Sequence, residues 1–291
     1  MARSTEPSDQ TFSASFSETH GAQQAAVTEI IELVRAQTGY DFSDYQPPFL
    51  LRRLRLLGSR HGAGADLVKL AGLMRADAAL PAEAIETLSL SVTEMYRDPS
   101  FFRTFRRLVV PELHSYPRVR IWIAGCATGE EAYSFAIMLD EEGFGDRYQI
   151  YATDINRRSL ERATSGFIDV DQMQLNSRNY LEAGGTRSLS HYYSAHHGSA
   201  LIHAHVRRRI VVAHHNLTTD GRFNSFNVVV CRNVLIYFDS DLHTRVHKLL
   251  YESLTPLGTL ALGARESLRL SGHAERFRCI DQAARIYQKV D

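Results

Sequence analysis

The sequence predicts an α/β fold preceded by a small all-α domain. From about residue 118, short apolar segments with strand character alternate with amphipathic helical segments. A glycine-framed turn, Gly125-Cys-Ala-Thr-Gly129, separates the apolar segment 120–124 from a helix that begins with Glu130 and Glu131. Before residue 98 the apolar residues recur only at helical spacing. We therefore expect a mainly parallel sheet covered by helices, after a helical N-terminal region.

The region before the sheet is divided by composition and by helix signals. Residues 1–22 are polar and rich in Ser and Thr, and we expect a disordered tail. Residues 23–97 carry four helical patterns and predict a small helical domain. Residues 98–117 predict a connecting helix, because Asp98 suits an N-cap and Pro99 suits a first turn.

Residues 118–291 predict the sheet domain. The expected strands are 120–124, 149–153, 227–231 and 258–263, with a closing hairpin at 277–280 and 285–288. Helices are expected at 130–142, after Asp154 through residue 163, and at 239–254. Residues 167–212 break this rhythm with polar, histidine-rich sequence, and we interpret them as an inserted small β-subdomain.

Composition excludes several classes of protein. The 291 residues carry 33 basic and 33 acidic side chains, so bulk charge favours neither a nucleic-acid partner nor a membrane surface. Three widely separated cysteines are typical of a reduced, cytoplasmic protein. The sequence shows no signal peptide and no apolar run of the ~18 residues that a membrane span needs.

Two glutamates at the start of one helix indicate the kind of ligand. A helix N-terminus ordinarily favours an anion such as phosphate. Glu130 and Glu131 would repel phosphate there and would favour a ligand with hydroxyl and cationic groups. S-adenosylmethionine has a ribose diol, an ammonium and a sulfonium, so it suits this turn better than a dinucleotide does. A nicotinamide-dependent oxidoreductase is disfavoured for the same reason.

Polar residues follow three of the predicted strands, where open α/β sheets bind ligands. Gly125 opens the first turn, Asp154 ends the next strand, and Cys231 and Arg232 follow a third, with Tyr237 shortly after. The spacing of Asp154 resembles that of the acidic residue that holds ribose hydroxyls, and a helix N-cap is the less favoured alternative. The residues after the third strand either face a ligand or cap a helix.

These residues belong to a set of motifs that resembles one family, the bacterial chemotaxis receptor methyltransferases (the CheR family). The resemblance covers about residues 25–290 and is carried by Thr93-x-x-x-Arg97-Asp98-Pro99, Trp122-x-x-Gly125-Cys-Ala-Thr-Gly-Glu-Glu131, Ala152-Thr-Asp154, Cys231-Arg-Asn-Val-Leu-Ile-Tyr-Phe238 and Leu260-x-Leu-Gly-x-x-Glu266. It implies a class I S-adenosylmethionine-dependent methyltransferase domain (Rossmann-like), with the β-subdomain inserted and the helical domain in front. The implied reaction methylates glutamate side chains on the cytoplasmic helices of methyl-accepting chemoreceptors.

The resemblance also implies roles for individual residues. Arg97 and Tyr237 correspond to the pair beside the transferable methyl group. The cofactor, which leaves as S-adenosylhomocysteine, would be held by Ser91, Thr93, Arg97, Gly125, Glu130 or Glu131, Asp154, Asn216, Leu217, Cys231 and Arg232. Ser91 stands where the family often has Asn. From the residues alone, a surface ion pair at a domain junction is the favoured interpretation of Arg97. Glutamate is already a carboxylate near neutrality, so the reaction requires neither a general base nor a metal.

Two further features concern the partner. Arg52, Arg53 and Arg55 lie away from the apolar face of a predicted helix, as either a solvated surface or a basic patch for an acidic receptor helix. We favour the patch because the family's N-terminal domain has that role. Some members also bind a tethering peptide through a glycine-bearing loop of the insert. Only Gly198 is present in this loop, which argues against a tether.

Three alternatives concern the insert and the reaction. His203 and His205 would share one face of a strand and permit metal binding, but surface histidines are the simpler interpretation and we assign no metal site. A methyltransferase for nucleic acids or small molecules is disfavoured by the zero net charge and by the sequence Cys231-Arg-Asn-Val234. A cofactor-binding scaffold without catalysis is the remaining alternative, against which Arg97 and Tyr237 argue.

Overall fold

The computed structural model describes residues 9–196 and 198–290 of the chain. It divides the chain into two compact units between Ser89 and Leu90, somewhat before the boundary at residue 97 that the sequence suggests.

The first unit is helical. It contains α1 (Asp9–Thr38), α2 (Pro47–Arg60), α3 (Leu67–Ala76) and α4 (Leu80–Leu88). Helix α1 includes residues 9–22 of the predicted disordered tail, because no proline interrupts the helix before it ends at Thr38. Residues 1–8 of that tail lie outside the described residues. Apolar residues of all four helices form its core, among them Ile30, Leu54, Leu70 and Ala84, each fully buried.

The second unit begins with an extended segment and two helices, α5 (Pro99–Leu108) and α6 (Val110–Leu113). The sequence predicts one connecting helix here, and the structure has two because Pro111 starts a new helical turn. Three phenylalanines of α5, Phe101, Phe102 and Phe105, pack on Phe135 of the helix that follows the first strand.

The main sheet has seven strands and is flanked by helices. The strands are β1 (Val119–Ala124), β2 (Tyr148–Asp154), β6 (Ile210–His214), β7 (Phe226–Cys231), β8 (Leu254–Leu262), β9 (Phe277–Asp281) and β10 (Ile286–Lys289). The connecting helices are α7 (Glu130–Glu141), α8 (Arg157–Ser165) and α11 (Ser240–Ser253). Each predicted strand and helix of this region is therefore present, with ends shifted by a few residues.

The strand order is β6-β2-β1-β7-β8-β10-β9. Neighbouring strands from β6 to β8 are parallel, whereas β10 runs antiparallel to both β8 and β9. Strand β7 lies in the middle of this sheet and is buried along its whole length, which explains its continuous run of apolar residues. This order, with β9 and β10 as a closing hairpin, fits the predicted class I methyltransferase fold.

The insert forms a second, smaller sheet. Strands β3 (Phe167–Asp169), β4 (Tyr193–His196) and β5 (Ser199–Ile202) pair antiparallel in the order β3-β5-β4. The insert also contains helices α9 (Met173–Glu182) and α10 (Ala204–Arg207), which the sequence analysis does not predict. It ends earlier than residue 212, because β6 pairs with β2 and belongs to the main sheet. Within the described part of the chain, no helix is long and apolar enough to cross a membrane.

Candidate active site

The carboxyl ends of five parallel strands meet at one edge of the main sheet. These ends are Ala124, Asp154, His214, Cys231 and Leu262. Parallel pairing fixes this arrangement, since all five strands run in the same direction. The polar residues that the sequence analysis selects after β1, β2, β6 and β7 therefore share one rim.

The turn after β1 has an unusual backbone. Gly125, Ala127 and Gly129 have φ angles of 76°, 48° and 96°, the left-handed region that favours glycine. A Cβ atom on Gly125 would lie 2.4 Å from Cγ2 of Val234, which belongs to the turn after β7. Gly125 is therefore required both by its φ angle and by the close approach of the two turns.

Asp154 ties the ends of β1 and β2 together. Its Oδ2 accepts the backbone N–H of Ala127 at 2.9 Å, and its Oδ1 accepts that of Asn156, also at 2.9 Å. Burial raises the pKa of the Asp154 carboxyl, and the backbone donors of Asn156 and Ala127 counter that rise. Asn156 is the N-cap of α8, so the N-cap role considered for Asp154 belongs to Asn156.

The structure separates Glu130 from Glu131. Glu130 is buried, accepts a hydrogen bond from the Thr128 hydroxyl at 2.6 Å, and has its carboxyl pKa raised by burial. Glu131 forms an ion pair with Arg232 at the end of β7, and 13% of its side chain is exposed. Glu131, which retains exposed surface at this rim, is therefore the better candidate for a ligand contact.

Arg232, predicted to contact the cofactor, is bound by two carboxylates of the protein. Its guanidinium is 2% exposed and forms ion pairs with Glu131 and with Asp98, the latter at 2.7 Å. It also lies over the ring of Phe101, 4.0 Å from the centroid. The Arg232 side chain, which follows β7, is therefore surrounded by other side chains of the protein. The sequence does not reveal this, because the Asp98 that precedes α5 looks like a simple N-cap.

Arg97 lies in a constrained segment. Tyr96 and Asp98, its two neighbours, have φ angles of 54° and 57°, which side chains other than glycine rarely adopt. The Arg97 side chain is half-buried, and its Nη1 donates to the carbonyl of Val92 at 3.3 Å. The Arg97 carbonyl accepts from both Nη atoms of Arg232, at 3.4 and 3.3 Å. The structure thus joins the predicted catalytic arginine to the end of β7.

Four further predicted residues belong to the segment before Arg97 and to the turn after β6. The Ser91 hydroxyl is 2.6 Å from the hydroxyl of Ser159 in α8, which ties the extended segment before Arg97 to the sheet domain. Thr93 is half-buried. Asn216 follows β6 and is buried, and its side-chain oxygen accepts from both the backbone N–H and the hydroxyl of Thr218. Leu217 beside it is half-buried.

The turn after β7 carries Tyr237 and is organised by a glutamate to which the sequence analysis gives no role. Glu266 is 2% exposed, and its carboxylate accepts the backbone N–H groups of Val234, Leu235 and Gly263. Burial raises its carboxyl pKa against the effect of these donors. Tyr237 is half-buried and ends the 3-10 turn that starts at Leu235.

Cys231 is fully buried at the end of β7, and burial raises the pKa of its thiol well above the ordinary range. It is therefore a packed residue of the sheet and not a reactive thiol.

The carboxylates and glycines at this rim fit S-adenosylmethionine. Asp154 at the end of β2 and Glu131 in the first turn of α7 retain some exposure. Arg232 is buried and pairs with Glu131 and Asp98, so this group of one arginine and two carboxylates carries one net negative charge. Such a set favours cationic and hydroxyl groups over phosphate. Asp154 would hold ribose hydroxyls and Glu131 the cationic end of the ligand.

In the first unit, the predicted basic patch is only partly free. Arg52 and Arg55 are exposed on α2. Arg53 is half-buried, and its Nε donates to the carbonyl of Thr87 at the end of α4. Arg53 therefore supports the packing of α2 on α4, which leaves Arg52 and Arg55 as candidates for partner recognition.

His203 and His205 of the insert do not share a strand face. His203 precedes α10 as its N-cap residue and lies 3.0 Å from the Ser194 hydroxyl, whereas His205 is inside the helix. The expected strand is the short helix α10 here, in which Val206 is buried. Among residues 9–196 and 198–290, no group of three or more His, Cys, Asp or Glu side chains could hold a metal ion.

Comparison with known proteins gives consistent matches. The family described as "CheR methyltransferase, SAM binding domain" matches residues 91–286. The Cher3 protein of Pseudomonas putida is 40% identical over 260 residues, which are 89% of this chain and 95% of that protein. A protein of Listeria innocua named "Chemotaxis protein methyltransferase" is 31% identical over 245 residues, 81% of this chain and 87% of that protein. Among solved structures, the glycopeptide N-methyltransferase MtfA with bound sinefungin has a TM-score of 0.35 at 13% identity, covering 59% of this chain and 50% of that chain.

Proposed function

We propose that this chain, which belongs to the CheR methyltransferase family, methylates glutamate side chains of chemoreceptors with S-adenosylmethionine as the donor. The family makes the chain an S-adenosylmethionine-dependent methyltransferase. The chemotaxis methyltransferase name of its relatives supports a chemoreceptor as the acceptor. The glutamate acceptor and the individual site residues are our proposal.

The observation that carries this proposal is the acidic rim of the sheet. Asp154 ends β2, Glu131 lies in the first turn of α7 after β1, and Arg97 is joined to the same rim through its carbonyl. When bound, S-adenosylmethionine supplies an electrophilic methyl group on a sulfonium. The residues of the chain have to bind and orient this donor, exclude water, and leave one face open to the acceptor.

The acceptor needs no activation. A glutamate has an ordinary pKa of about 4.3, so it is a carboxylate at neutral pH. The half-buried guanidinium of Arg97, anchored on the Val92 carbonyl, would align the incoming carboxylate with its planar fork. Tyr237, in the turn after β7, would place its ring beside the sulfonium. Alignment of this kind lowers a barrier by as much as roughly 7–11 kcal/mol in favourable cases.

Recognition of the receptor would use the exposed arginines of α2. Arg52 and Arg55 are one helical turn apart, and a glutamate-rich receptor helix offers the complementary charge. Binding of a receptor tethering peptide by the insert remains unexpected, and the cytoplasmic location remains a prediction. The remaining alternative, a scaffold that binds cofactor without catalysis, predicts cofactor binding without transfer.

The test uses labelled S-adenosylmethionine, the full chain and receptor-containing membranes of the host. Methylated glutamate is an ester, so base treatment should release the label as volatile methanol. Label that resists base would indicate another acceptor group. Cofactor binding with no transferred label would support the scaffold.

A further inference from the structure

We infer that Arg232 is a positioning residue: its buried guanidinium holds the backbone of Arg97 and so places the Arg97 side chain for the reaction. This inference rests on the proposed role of Arg97. It differs from the cofactor-binding role that the sequence suggests for Arg232, and it depends on contacts within the second unit.

The contact between the Arg232 guanidinium and the Arg97 carbonyl has a specific geometry. Both Nη atoms of Arg232 donate to the carbonyl of Arg97, at 3.4 and 3.3 Å, while Nη2 also pairs with Asp98 at 2.7 Å. The guanidinium therefore binds two consecutive residues of the segment at once. Only arginine has the planar fork that makes such a paired contact, and lysine offers a single point charge.

The second argument is the backbone of the segment that Arg232 holds. Tyr96 and Asp98 both have left-handed φ angles. Residues other than glycine rarely adopt such angles, which persist only where surrounding contacts fix them. On one side, the backbone N–H of Tyr96 donates to the Ser134 hydroxyl at 2.8 Å. On the other side, Arg232 provides the fixing contact.

The third argument is the rigidity of Arg232 itself. Its side chain is 2% exposed and is clamped between Glu131 of α7 and the ring of Phe101 in α5. Its own backbone follows β7, the buried central strand. A group fixed in this way transmits the position of the strand end to Arg97. Two carboxylates neutralise the guanidinium, so it does not compete with Arg97 for an acceptor carboxylate.

Arg106 provides a matched control within the same unit. It is a second buried arginine, 9% exposed, that forms ion pairs with two carboxylates, Glu141 and Glu142. In the described residues, its Nε and that of Arg232 both lack a hydrogen-bond partner. The contacts of its guanidinium lie on the α7 carboxylates and not on Arg97. A general loss of stability from a buried arginine should therefore appear equally in Arg106→Lys and Arg232→Lys.

The experiment compares these two variants in the full chain, alone and combined with Arg97→Ala. For Arg232→Lys we expect kcat to fall about tenfold to a hundredfold, since misplacement by ~1 Å has that effect, and the Kd of S-adenosylhomocysteine to rise by a smaller factor, because Arg232 also pairs with Glu131. In the Arg97→Ala background, Arg232→Lys should have no further effect on kcat. Arg106→Lys should leave kcat unchanged in both backgrounds. If Arg232→Lys and Arg106→Lys lower kcat by the same factor, both with and without Arg97→Ala, the inference is wrong.

Hydrogen exchange of the backbone amides in segment 95–101 tests the same contact without any turnover. Exchange should become faster in Arg232→Lys and remain as in the wild type in Arg106→Lys. If the wild-type protein binds cofactor but methylates no receptor, the proposed function fails, and the exchange comparison still decides whether Arg232 holds Arg97. Unchanged exchange in Arg232→Lys would refute the contact.

Discussion

The carboxylate of Asp154 accepts the backbone N–H of Ala127 at 2.9 Å, so the end of β2 holds the turn that follows β1. One side chain therefore both shapes the left-handed turn and presents a negative charge at the rim of the sheet. The two roles are linked, because the Asp154 carboxylate that would bind the ribose hydroxyls also holds the turn that leads to Glu131.

Asp154→Asn should weaken cofactor binding more than it weakens the fold. Asparagine keeps one acceptor oxygen but places an NH₂ group against a backbone N–H, and hydrogen bonds to charged groups contribute about 1.5–3 kcal/mol. We expect the Kd of S-adenosylhomocysteine, measured by calorimetry, to rise about tenfold or more. Asp140→Asn changes a half-buried carboxylate that accepts a hydrogen bond from the Tyr148 hydroxyl away from the rim, and should leave the Kd unchanged. Equal effects of the two changes would argue against the proposed site.

Gly125→Ala should unfold or disable the site because of one close contact. The new Cβ atom would lie 2.4 Å from Val234, in addition to the cost of a positive φ. Gly143 has nearly the same φ, 77°, but has no heavy atom within 4 Å of the added Cβ. Gly143→Ala should therefore cost only the left-handed strain, about 1–2 kcal/mol. Thermal unfolding separates the two, and an equal loss of Tm would show that the turns after β1 and β7 do not pack as closely as described.

Stability should fall as the pH drops because of His247 in α11. This residue is 1% exposed, and burial lowers its pKa to about 4. In the unfolded chain it has an ordinary pKa of about 6.5, so between these values the unfolded state binds more protons. The buried, neutral His247 contributes fully to the unfolding free energy above pH ~6.5, and this contribution is lost as the pH falls toward ~4. At pH ~5 the loss amounts to about 2 kcal/mol.

Urea unfolding at pH ~7 and pH ~5 measures this effect. In His247→Leu the difference in unfolding free energy between the two pH values should shrink by about 2 kcal/mol. The exposed His191 serves as the control, since His191→Ala should leave the difference as in the wild type. An unchanged difference in His247→Leu would place the acid sensitivity elsewhere.

Reversing the charge of Arg52 and Arg55 together should weaken receptor methylation but not cofactor binding. Both side chains are exposed on α2, whereas Arg53 supports the end of α4 and would confuse the result. We expect the KM for receptor to rise severalfold and more steeply at low salt, where exposed charges interact most strongly. Lysine at both positions keeps the charge and should keep the activity. Unchanged kinetics in the double glutamate variant would remove the basic patch from the account.

Much of the fold could be predicted from local patterns. The buried run 227–231, the glycine turn after β1 and the alternation of strands and helices each follow from rules that act within a few residues, and each is present. The motifs that indicate the CheR family are likewise confirmed by the family match. Helix α1 and the end of the insert were placed less well, because polar composition alone does not separate a helix from a tail, and β6 gains its place only by pairing with β2.

The contacts of the site could be predicted only in part. Sequence patterns select the strand ends, since the rim of a parallel sheet depends only on direction. They do not show that Arg232 turns to Asp98 and Arg97, or that Glu266 binds three backbone N–H groups of two separate turns. These contacts join residues far apart in the chain. The only local signal for the Glu266 contacts is its position shortly after Gly263, which ends a predicted strand.

The central claim is that a glutamate carboxylate of a chemoreceptor accepts the methyl group. Mass spectrometry of receptor peptides, after reaction with the full chain and S-adenosylmethionine, tests it most directly. We expect the added mass of one methyl group on glutamate residues of the receptor's cytoplasmic helices. Base should remove this group, and it should be absent when the reaction uses Arg97→Ala. A methyl group on any other side chain, or receptor peptides that remain unmodified while the cofactor binds, would contradict it.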